Sequence, residues 1–452
     1  MQMGMMLASS HPILSFRFPF ESSPQLHGTY HHSTRDYIRW SRSGSSGAQC
    51  ECTRTVRRHE FSPALILRSR SLKLSQGVEN SVSCSAMANS FSPSRLAGRL
   101  FGPGEEGEDW WDHKCVFHPV VVREPSSSTW RMYYYGRDGD NWSSGVRPAL
   151  LSTGRVGLAL SEDGVHWSRH RGPLPQGAIL DPEEGGDTFD SVHVGCSDVL
   201  FHDGQWWMFY FGGSAEKMEI GPSNKALQGL RMLPGLVKSA DGVVFDRALF
   251  TGNPLLNVGL QNEWDELFIA WPRVLPPSSR HRCQDPSDED KTWLMTYSSI
   301  EKQTLPFSSI GVALSADGHK WFKAGKALTR GAPGSWDEGG VGRRHVLLID
   351  NEYFMFYEGV NNKGIHGIGL AISPDGIHWE RDPLCQGPIF SARVGEEVWD
   401  NGTVAAPHVL QMDDGSFRMY YVGTNDTKTE SAMGMAISKG KNFRTWTRIQ
   451  NW

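Results

Sequence analysis

A repeated unit constrains the fold of this chain more than any other feature. It recurs five times between Trp110 and the C-terminus, and each copy begins with an aromatic residue followed by Asp. The five pairs are Trp111-Asp112, Phe189-Asp190, Trp264-Asp265, Trp336-Asp337 and Trp399-Asp400. An apolar segment, a segment rich in aromatic residues and a Ser-x-Asp-Gly turn or a variant follow in the same order. Because one such unit cannot bury its apolar face alone, the units must stack on each other. We therefore predict an all-β chain that forms a five-bladed β-propeller.

Residues 334–382 illustrate how one unit is expected to fold. The pattern predicts four antiparallel strands, with Asp350-Asn351 as a tight turn between the first and the second. In the second strand Tyr353, Met355 and Tyr357 alternate with Phe354 and Phe356, so both faces are apolar and a neighbouring blade should cover each. The predicted strands are Val341–Ile349, Glu352–Gly359, Gly367–Ser373 and Ile377–Arg381.

The N-terminal residues differ in composition from the repeats. Residues 1–84 are rich in Ser, Arg and His and carry ten Lys or Arg against five Asp or Glu. This composition is typical of an organellar transit peptide, and Val82-Ser-Cys84 resembles a plastid processing site. We predict a disordered, plastid-targeting segment over 1–84, a linker over 85–104 and the propeller over 105–452. A mitochondrial address, or a tail without an address, remains an alternative.

Charge and composition narrow the possible partners. The chain carries a net charge of −5 although its N-terminal segment is basic, so the propeller itself is acidic. An acidic surface is poorly suited to phosphate backbones, which argues against nucleic acid. It suits a sugar, or a neutral or cationic small ligand. No apolar run is long enough to span a membrane. The cysteines lack the spacing of metal ligands, and we expect no metal and no cofactor.

The repeats resemble a known enzyme superfamily. Their Ser-x-Asp-Gly-x-x-Trp hairpins and their Trp/Tyr-x-Met-Phe/Tyr-Tyr strands are similar to those of the arabinanase/levansucrase/invertase superfamily, which covers glycoside hydrolase families 43, 62, 32 and 68. The resemblance spans about residues 105–450. It implies a carbohydrate ligand and carboxylates in the central funnel, one acting as acid and one as base or nucleophile.

The motifs that carry the chemistry of that superfamily are altered here. Family 43 enzymes usually have Asp-Pro on the first strand of the first blade, where this chain has His118-Pro119. A second common Asp-Pro is replaced by Trp271-Pro272. The general acid of a Glu-Gly-Pro motif has no counterpart in the matching segment 341–345. Glu358-Gly359 is similar to that motif but ends a second strand, so we interpret it as a coincidence. The usual catalytic triad therefore cannot be transferred to this chain.

Other carboxylates are candidates for catalysis. Asp198 lies directly on a predicted inner strand, and the others lie in the loops that precede such strands. Together they could form a ring of acids at the funnel mouth. The alternative is structural, because an Asp that recurs in every unit can cap a turn beside its own aromatic residue. The candidate catalytic residues are Asp198, Asp337, Glu338, Asp400 and Asp190.

Basic and aromatic side chains on the inner strands are candidates for substrate binding. Arg and His near the axis could bind hydroxyls or a carboxylate, or shift the pKa of a nearby acid. They could instead form salt bridges with the loop Asp residues. The candidate binding residues are His118, Arg273, Arg344, His345, His408 and Trp271.

Two functions remain open at the level of sequence. The first is a glycoside hydrolase that acts in the funnel by carboxylate acid/base catalysis. The second is a non-catalytic propeller that binds a carbohydrate or a protein partner and has lost the catalytic triad. Two carboxyl groups that converge about 5 to 9.5 Å apart in the funnel would favour the first, and the lack of such a pair would favour the second.

Overall fold

The computed structural model describes ten stretches of the chain. They are residues 95–105, 107–124, 127–137, 154–185, 187–220, 225–227, 229–247, 254–277, 292–301 and 308–450. The predicted targeting segment 1–84 lies outside them, as does the first half of the predicted linker, residues 85–94. In the described stretches no helix has the length and hydrophobicity that a membrane span requires.

Five antiparallel sheets follow one another along the chain and form the blades of a propeller, which confirms the predicted fold. A short strand, β1 (Arg99–Phe101), precedes blade 1. Blade 1 contains β2 (Cys115–Arg123), β3 (Trp130–Arg137), β4 (Arg155–Ser161) and β5 (Ser168–His170), and a 3₁₀ turn (Pro175–Gly177) leads to the next blade. Blade 2 contains β6 (His193–His202), β7 (Gln205–Gly213) and β10 (Met232–Ser239), with the hairpin β8 (Met218–Ile220) and β9 (Lys225–Leu227) inserted between β7 and β10.

The remaining three blades have the same antiparallel order. Blade 3 contains β11 (Ala270–Leu275), β12 (Trp293–Ile300), β13 (Ser308–Ser315) and β14 (Trp321–Leu328). Blade 4 contains β15 (Gly340–Ile349), β16 (Glu352–Val360), β17 (His366–Ser373), β18 (Glu380–Arg381) and β19 (Phe390–Ser391). Blade 5 contains β20 (Thr403–Gln411), β21 (Phe417–Thr424), β22 (Ser431–Lys439) and β23 (Asn442–Arg448).

The first strands of the blades form the inner ring. Each contacts the first strand of the next blade, in the order β2, β6, β11, β15, β20 and back to β2. The funnel is therefore lined by one strand from each blade. A ligand in it would meet residues that are far apart in sequence.

Blade 4 shows why the aromatic strands pack as predicted. Tyr353, Met355 and Tyr357 of β16 pack in one cluster with Leu294 and Val312 of blade 3. Phe354 and Phe356, on the opposite face of the strand, pack in another cluster with residues of blade 5. Each middle strand is thus sandwiched between two neighbours, which explains why it lacks the polar face of an ordinary half-exposed strand.

The recurring aromatic–Asp pair has the same structural role in every blade. The aromatic ring stacks on a Tyr of the second strand, and the Asp carboxylate accepts a hydrogen bond from the hydroxyl of that Tyr. In blade 4, Trp336 stacks on Tyr357 and Asp337 accepts from it at 2.9 Å. We call this arrangement the aromatic–Asp clamp. The corresponding Asp and Tyr residues are Asp112 and Tyr134, Asp190 and Tyr210, Asp265 and Tyr297, and Asp400 and Tyr421.

Candidate functional site

All five inner strands are interrupted by a β-bulge at the same height. In β2, for example, the pairing with β3 passes from Phe117 directly to Val120. The strands β6, β11, β15 and β20 show the same irregularity. Three of the bulges contain a proline as their second residue, which is tolerated because a bulge leaves its backbone N–H unpaired. These dipeptides are His118-Pro119, Trp271-Pro272 and Ala406-Pro407.

The residue before each of these prolines has a left-handed backbone. The φ angles are +60° at His118, +54° at Trp271 and +48° at Ala406. A residue with a side chain pays of order 1–3 kcal/mol for such a conformation, which persists where the surrounding structure imposes it. All three residues line one pocket. The bulges therefore direct these side chains into the funnel.

The space between the pocket walls, counted together with the open solvent at the mouth, is about 740 Å³. One part of its wall is aromatic, formed by Phe117, Tyr135, Phe211 and Trp271. The other part is polar. The polar lining residues are His118, His193, Arg343, Glu358, His366, Thr403, Thr424 and Lys428. A mostly apolar wall with a few convergent polar groups is the usual composition of a small-molecule site.

Glu358 lies near the end of β16 and lines the pocket. Among the described lining residues it is the one carboxylate. It accepts hydrogen bonds from Arg343 Nη1 at 3.0 Å and from His366 Nδ1 at 2.8 Å. Burial opposes its ionisation, but Arg343 and the hydrogen bond from His366 outweigh burial and lower the pKa of Glu358 to about 2. Glu358 is therefore ionised at neutral pH.

The sequence did not predict that Glu358 lines the pocket, because its similarity to the Glu-Gly-Pro motif is interpreted as a coincidence. The strand assignment was correct, since Glu358 pairs with Ile368 in the middle of the blade. It reaches the funnel because the bulge of β15 places Gly342 in front of it. Even a Cβ atom added at Gly342 would lie 4.0 Å from Glu358 Oε2. The Glu-Gly similarity was the available signal, and the position of the bulge was not readable from the sequence.

Behind the pocket lies a buried group of charged and imidazole side chains, which we call the axial cluster. Its members are Asp198, Arg273, Arg344, His345 and His408, each at most 9% exposed. Arg273 Nη1 lies 3.5 Å from Asp198 Oδ1 and 3.1 Å from His408 Nδ1. Because the guanidinium can only donate, His408 Nδ1 accepts, and its Nε2 donates to the carbonyl of Val121 at 2.8 Å.

The imidazoles near the axis are neutral. Burial lowers the pKa of His118 well below its ordinary value, and the nearby arginines lower it further. Burial together with the neighbouring cationic groups has the same effect on the pKa of His345 and His408. Burial also raises the pKa of Asp198, although Arg273 and the N–H of Val274 act in the opposite direction. These imidazoles are therefore uncharged at neutral pH.

Two pocket-lining side chains have a polar atom without a hydrogen-bond partner. These atoms are Nδ1 of His118 and Oγ1 of Thr424, and both residues are 3% exposed. A buried polar atom without a partner costs about 1–3 kcal/mol. Water or a ligand in the pocket would satisfy both.

The structure does not bring the predicted catalytic carboxylates together in the pocket. Asp190, Asp337 and Asp400 belong to aromatic–Asp clamps, and each also pairs with Arg. Glu338 accepts from the N–H of Gly334 at 2.7 Å. Asp198 lies in the axial cluster. The recurrence of Asp in every unit is explained by the clamp.

The predicted binding residues fall into two groups. His118 and Trp271 line the pocket, whereas the four other candidates form most of the axial cluster behind it. Arg343, which lines the pocket, lies with its guanidinium carbon 5.1 Å from the centre of the Trp271 ring. Among the described residues, no group of three or more His, Cys, Asp or Glu side chains could hold a metal ion.

The comparisons with known proteins concern the fold. No family model matches the chain, and a comparison with curated protein sequences finds no match. Solved structures do match. BT0996, in a complex with RGII, is 15% identical over 79% of this chain and 96% of its own length, with a TM-score of 0.54. A glycosyl hydrolase from Bacteroides ovatus is 15% identical over 78% of this chain and 95% of its own, with a TM-score of 0.54.

A third match has a described activity. The structure of this protein is described under the statement that the GH130 family of mannoside phosphorylases contains glycoside hydrolases that target β-1,2-mannosidic linkages in Candida mannan. This protein is 15% identical over 78% of this chain and 98% of its own, with a TM-score of 0.53. At such identities the likeness concerns architecture alone. The chain therefore shares the five-bladed propeller fold of these carbohydrate-active proteins.

Proposed function

We propose that this chain is a carbohydrate-active propeller that binds a glycoside in the funnel pocket. The observation that carries the proposal is the composition of that pocket. Trp271 and three other aromatic residues line one cavity together with Glu358, Arg343 and His118. Sugars present apolar ring faces and polar hydroxyls, and such a wall can contact both. The likeness to proteins described as glycoside hydrolases and mannoside phosphorylases supports the same ligand class.

Binding is tested with the full chain on a panel of oligosaccharides followed by calorimetry. Trp271→Ala should weaken binding about tenfold or more, because a buried aromatic side chain contributes about 1.5–3 kcal/mol. Trp271→Phe should retain most of the affinity. A folded protein that binds no oligosaccharide, or a Trp271→Ala variant that binds as well as the original protein, would contradict the proposal.

Hydrolysis of the bound glycoside is the second candidate function, and one observation favours it. The pKa of Glu358 is lowered and that of Asp198 is raised. Two carboxyl groups whose environments separate their pKa values are the usual arrangement of a base and an acid. In this scheme Glu358 is the base or nucleophile and Asp198 supplies the proton. Asp198 does not line the pocket, so binding without turnover remains the simpler function.

Turnover is tested with arabinofuranosides, xylosides, galactosides, fructosides and β-1,2-mannosides. The assays are run with and without inorganic phosphate, because phosphorolysis consumes phosphate and hydrolysis does not. A hydrolase should lose turnover by about 100-fold or more in both Glu358→Gln and Asp198→Asn. Glu380→Gln, on the exposed edge of the same blade, is the control. If no substrate is turned over but oligosaccharides bind, the protein is a binding propeller.

We also propose that residues 1–84 direct the chain to a plastid. The basic, Ser-rich composition of this segment supports the proposal. A fluorescent protein fused behind residues 1–84 should accumulate in plastids of a plant cell. Accumulation in mitochondria, or a diffuse signal, would contradict it.

A further inference from the structure

We propose that the pocket prefers a glycoside that carries a carboxylate, as in a uronic acid, over the neutral sugar of the same linkage. The proposal rests on the proposed glycoside-binding function and specifies its ligand class. The acidic composition of the propeller predicted a sugar or a neutral or cationic small ligand. The charges around the pocket have the opposite balance.

Four cationic side chains lie in the pocket wall or directly behind it. Arg343 and Lys428 line the pocket, and Arg273 and Arg344 belong to the axial cluster. The carboxylates of the same region are Glu358 and Asp198. Even without Lys428, the three arginines therefore outnumber the two carboxylates among the described residues. In a poorly hydrated interior this excess is screened far less than it would be at the surface.

Arg344 is the arginine of this group that forms no hydrogen bond with a carboxylate among the described residues, although Asp198 stabilises its charged form from a greater distance. It is 1% exposed and always charged. Its guanidinium donates to Thr296 Oγ1 at 3.0 Å, to Ser298 Oγ at 2.6 Å and to the carbonyl of Trp271 at 2.6 Å. All three acceptors are neutral. Because Trp271 lines the pocket, the charge of Arg344 lies directly behind the wall that a ligand would touch.

The two carboxylates are already neutralised by their own partners. Glu358 is held by Arg343 and His366, and the backbone N–H of Ala406 also stabilises its charged form. Asp198 is held by Arg273 and by the N–H of Val274, which donates to it at 2.7 Å. The region around the pocket therefore keeps a positive balance after these pairs are formed. An anionic group on the ligand would offset it.

The unpartnered atoms in the pocket suit the same ligand. His118 Nδ1 and Thr424 Oγ1 are buried, line the pocket and lack a partner. A neutral imidazole can carry its proton on Nδ1, so both atoms can donate to a carboxylate. Hydrogen bonds to a charged acceptor are roughly twice as strong as neutral ones. A hydroxyl could also satisfy these donors, but it would leave the charge of Arg344 without compensation.

The test compares matched acidic and neutral ligands on the full chain. The probes are oligogalacturonides and glucuronate-substituted xylo-oligosaccharides, each beside its carboxyl-reduced counterpart, which keeps length and linkage. Calorimetry should show the acidic member of at least one pair bound about tenfold tighter or more.

Variants locate the source of the preference. Lys428→Gln and Thr424→Val should each weaken the binding of the acidic member more than that of the neutral member, and so reduce the ratio of acidic to neutral affinity by about threefold or more. Lys439→Gln is the matched control, since it removes the same charge at the exposed end of β22. Circular dichroism checks that each variant is folded.

The outcomes separate this inference from the function on which it rests. If neutral and acidic members bind equally well, the acidic-ligand inference is wrong and glycoside binding stands. If neither member of any pair binds, the proposed function fails and the inference fails with it. If the Lys439→Gln control loses the preference as much as Lys428→Gln does, the pocket is not its source.

Discussion

Asp400 and Glu358 are both buried carboxylates with cationic partners, but their surroundings give them different roles. Asp400 is fully buried and accepts from Tyr421, Arg393 and Arg448. Glu358 also has an Arg partner, yet it faces the pocket. The residue type does not separate these roles. What separates them is whether the surrounding side chains leave a path to the funnel.

Asp400→Ala should destabilise the fold. The substitution leaves two partly buried guanidinium groups without their carboxylate, and the cost approaches the value of about 3–5 kcal/mol that is typical of a fully buried charge. Tyr421→Phe removes one hydrogen bond and should cost about 1 kcal/mol. Urea unfolding measures both values. Asp413→Ala, at an exposed ion pair with Arg123, is the control and should change stability by less than about 0.5 kcal/mol. If Asp400→Ala unfolded like the original protein but lost glycoside turnover, the catalytic prediction for Asp400 would be favoured instead.

Glu358 should make the stability of the fold pH-dependent at acidic pH. Its pKa is about 2 in the folded chain and about 4.3 in an unfolded one. Its contribution, roughly 3 kcal/mol, is therefore complete above about pH 4.3 and is lost as the pH falls towards 2. Urea unfolding of the original protein and of Glu358→Gln should show a difference that shrinks across this window. A difference that stays constant from pH 6 down to about 2.5 would contradict the assignment.

The bounds of the strands were largely predictable, because side chains alternate between the two faces of a strand and the pattern ends where the strand ends. For blade 4 the first three strands differ from prediction by at most one residue at each end. The outer strand is shorter than predicted, since only Glu380 and Arg381 pair with β17. The reason is local. Asp375 accepts the N–H groups of Ile377 and His378 at 2.8 Å, so these residues form the turn and do not join the ladder.

The same turn gives a prediction at the level of the hairpin. Gly376 has a φ of +78°, a conformation that costs a residue with a side chain about 1–2 kcal/mol. Gly376→Ala should therefore lower the free energy of unfolding by about that amount. Gly387→Ala is the matched control in the same blade, because a Cβ atom there meets no atom within 4 Å. Equal stability of the two variants would show that the turn tolerates a side chain.

At the scale of the whole molecule, β1 connects the start of the propeller to its end. It pairs with β22 of the last blade, beside β23. Met435 N donates to the carbonyl of Gly98 at 2.7 Å. Phe101 packs against Tyr134 of blade 1, with ring centroids 5.0 Å apart. This strand falls within the segment predicted as a linker. It was not predicted because three residues are too few for a periodic pattern.

Removing β1 should weaken the whole ring. A protein that starts at residue 103 loses the backbone pairing and the buried Phe101, whereas one that starts at residue 93 keeps both. We expect the shorter protein to unfold at lower urea concentration, by roughly 3 kcal/mol or more of unfolding free energy. The comparison of the two truncations is its own control. Identical unfolding midpoints would show that β23 closes the last blade alone.

Five repeats predicted the ring, but they could not predict the chemistry of the funnel. A repeat reports what every blade has in common. The pocket depends on what differs between blades, since Trp271, Arg343 and Ala406 come from the bulges of three blades and Glu358 from a second strand. The sequence places each of these residues on its strand. It does not show which of them face the same space.

The bulges have a consequence for how such a protein can change over generations. Each bulged residue lies outside the pairing register of its strand, so its replacement leaves the hydrogen-bonded ladder intact. A lineage can therefore exchange the lining of the funnel one blade at a time while the ring keeps its stability.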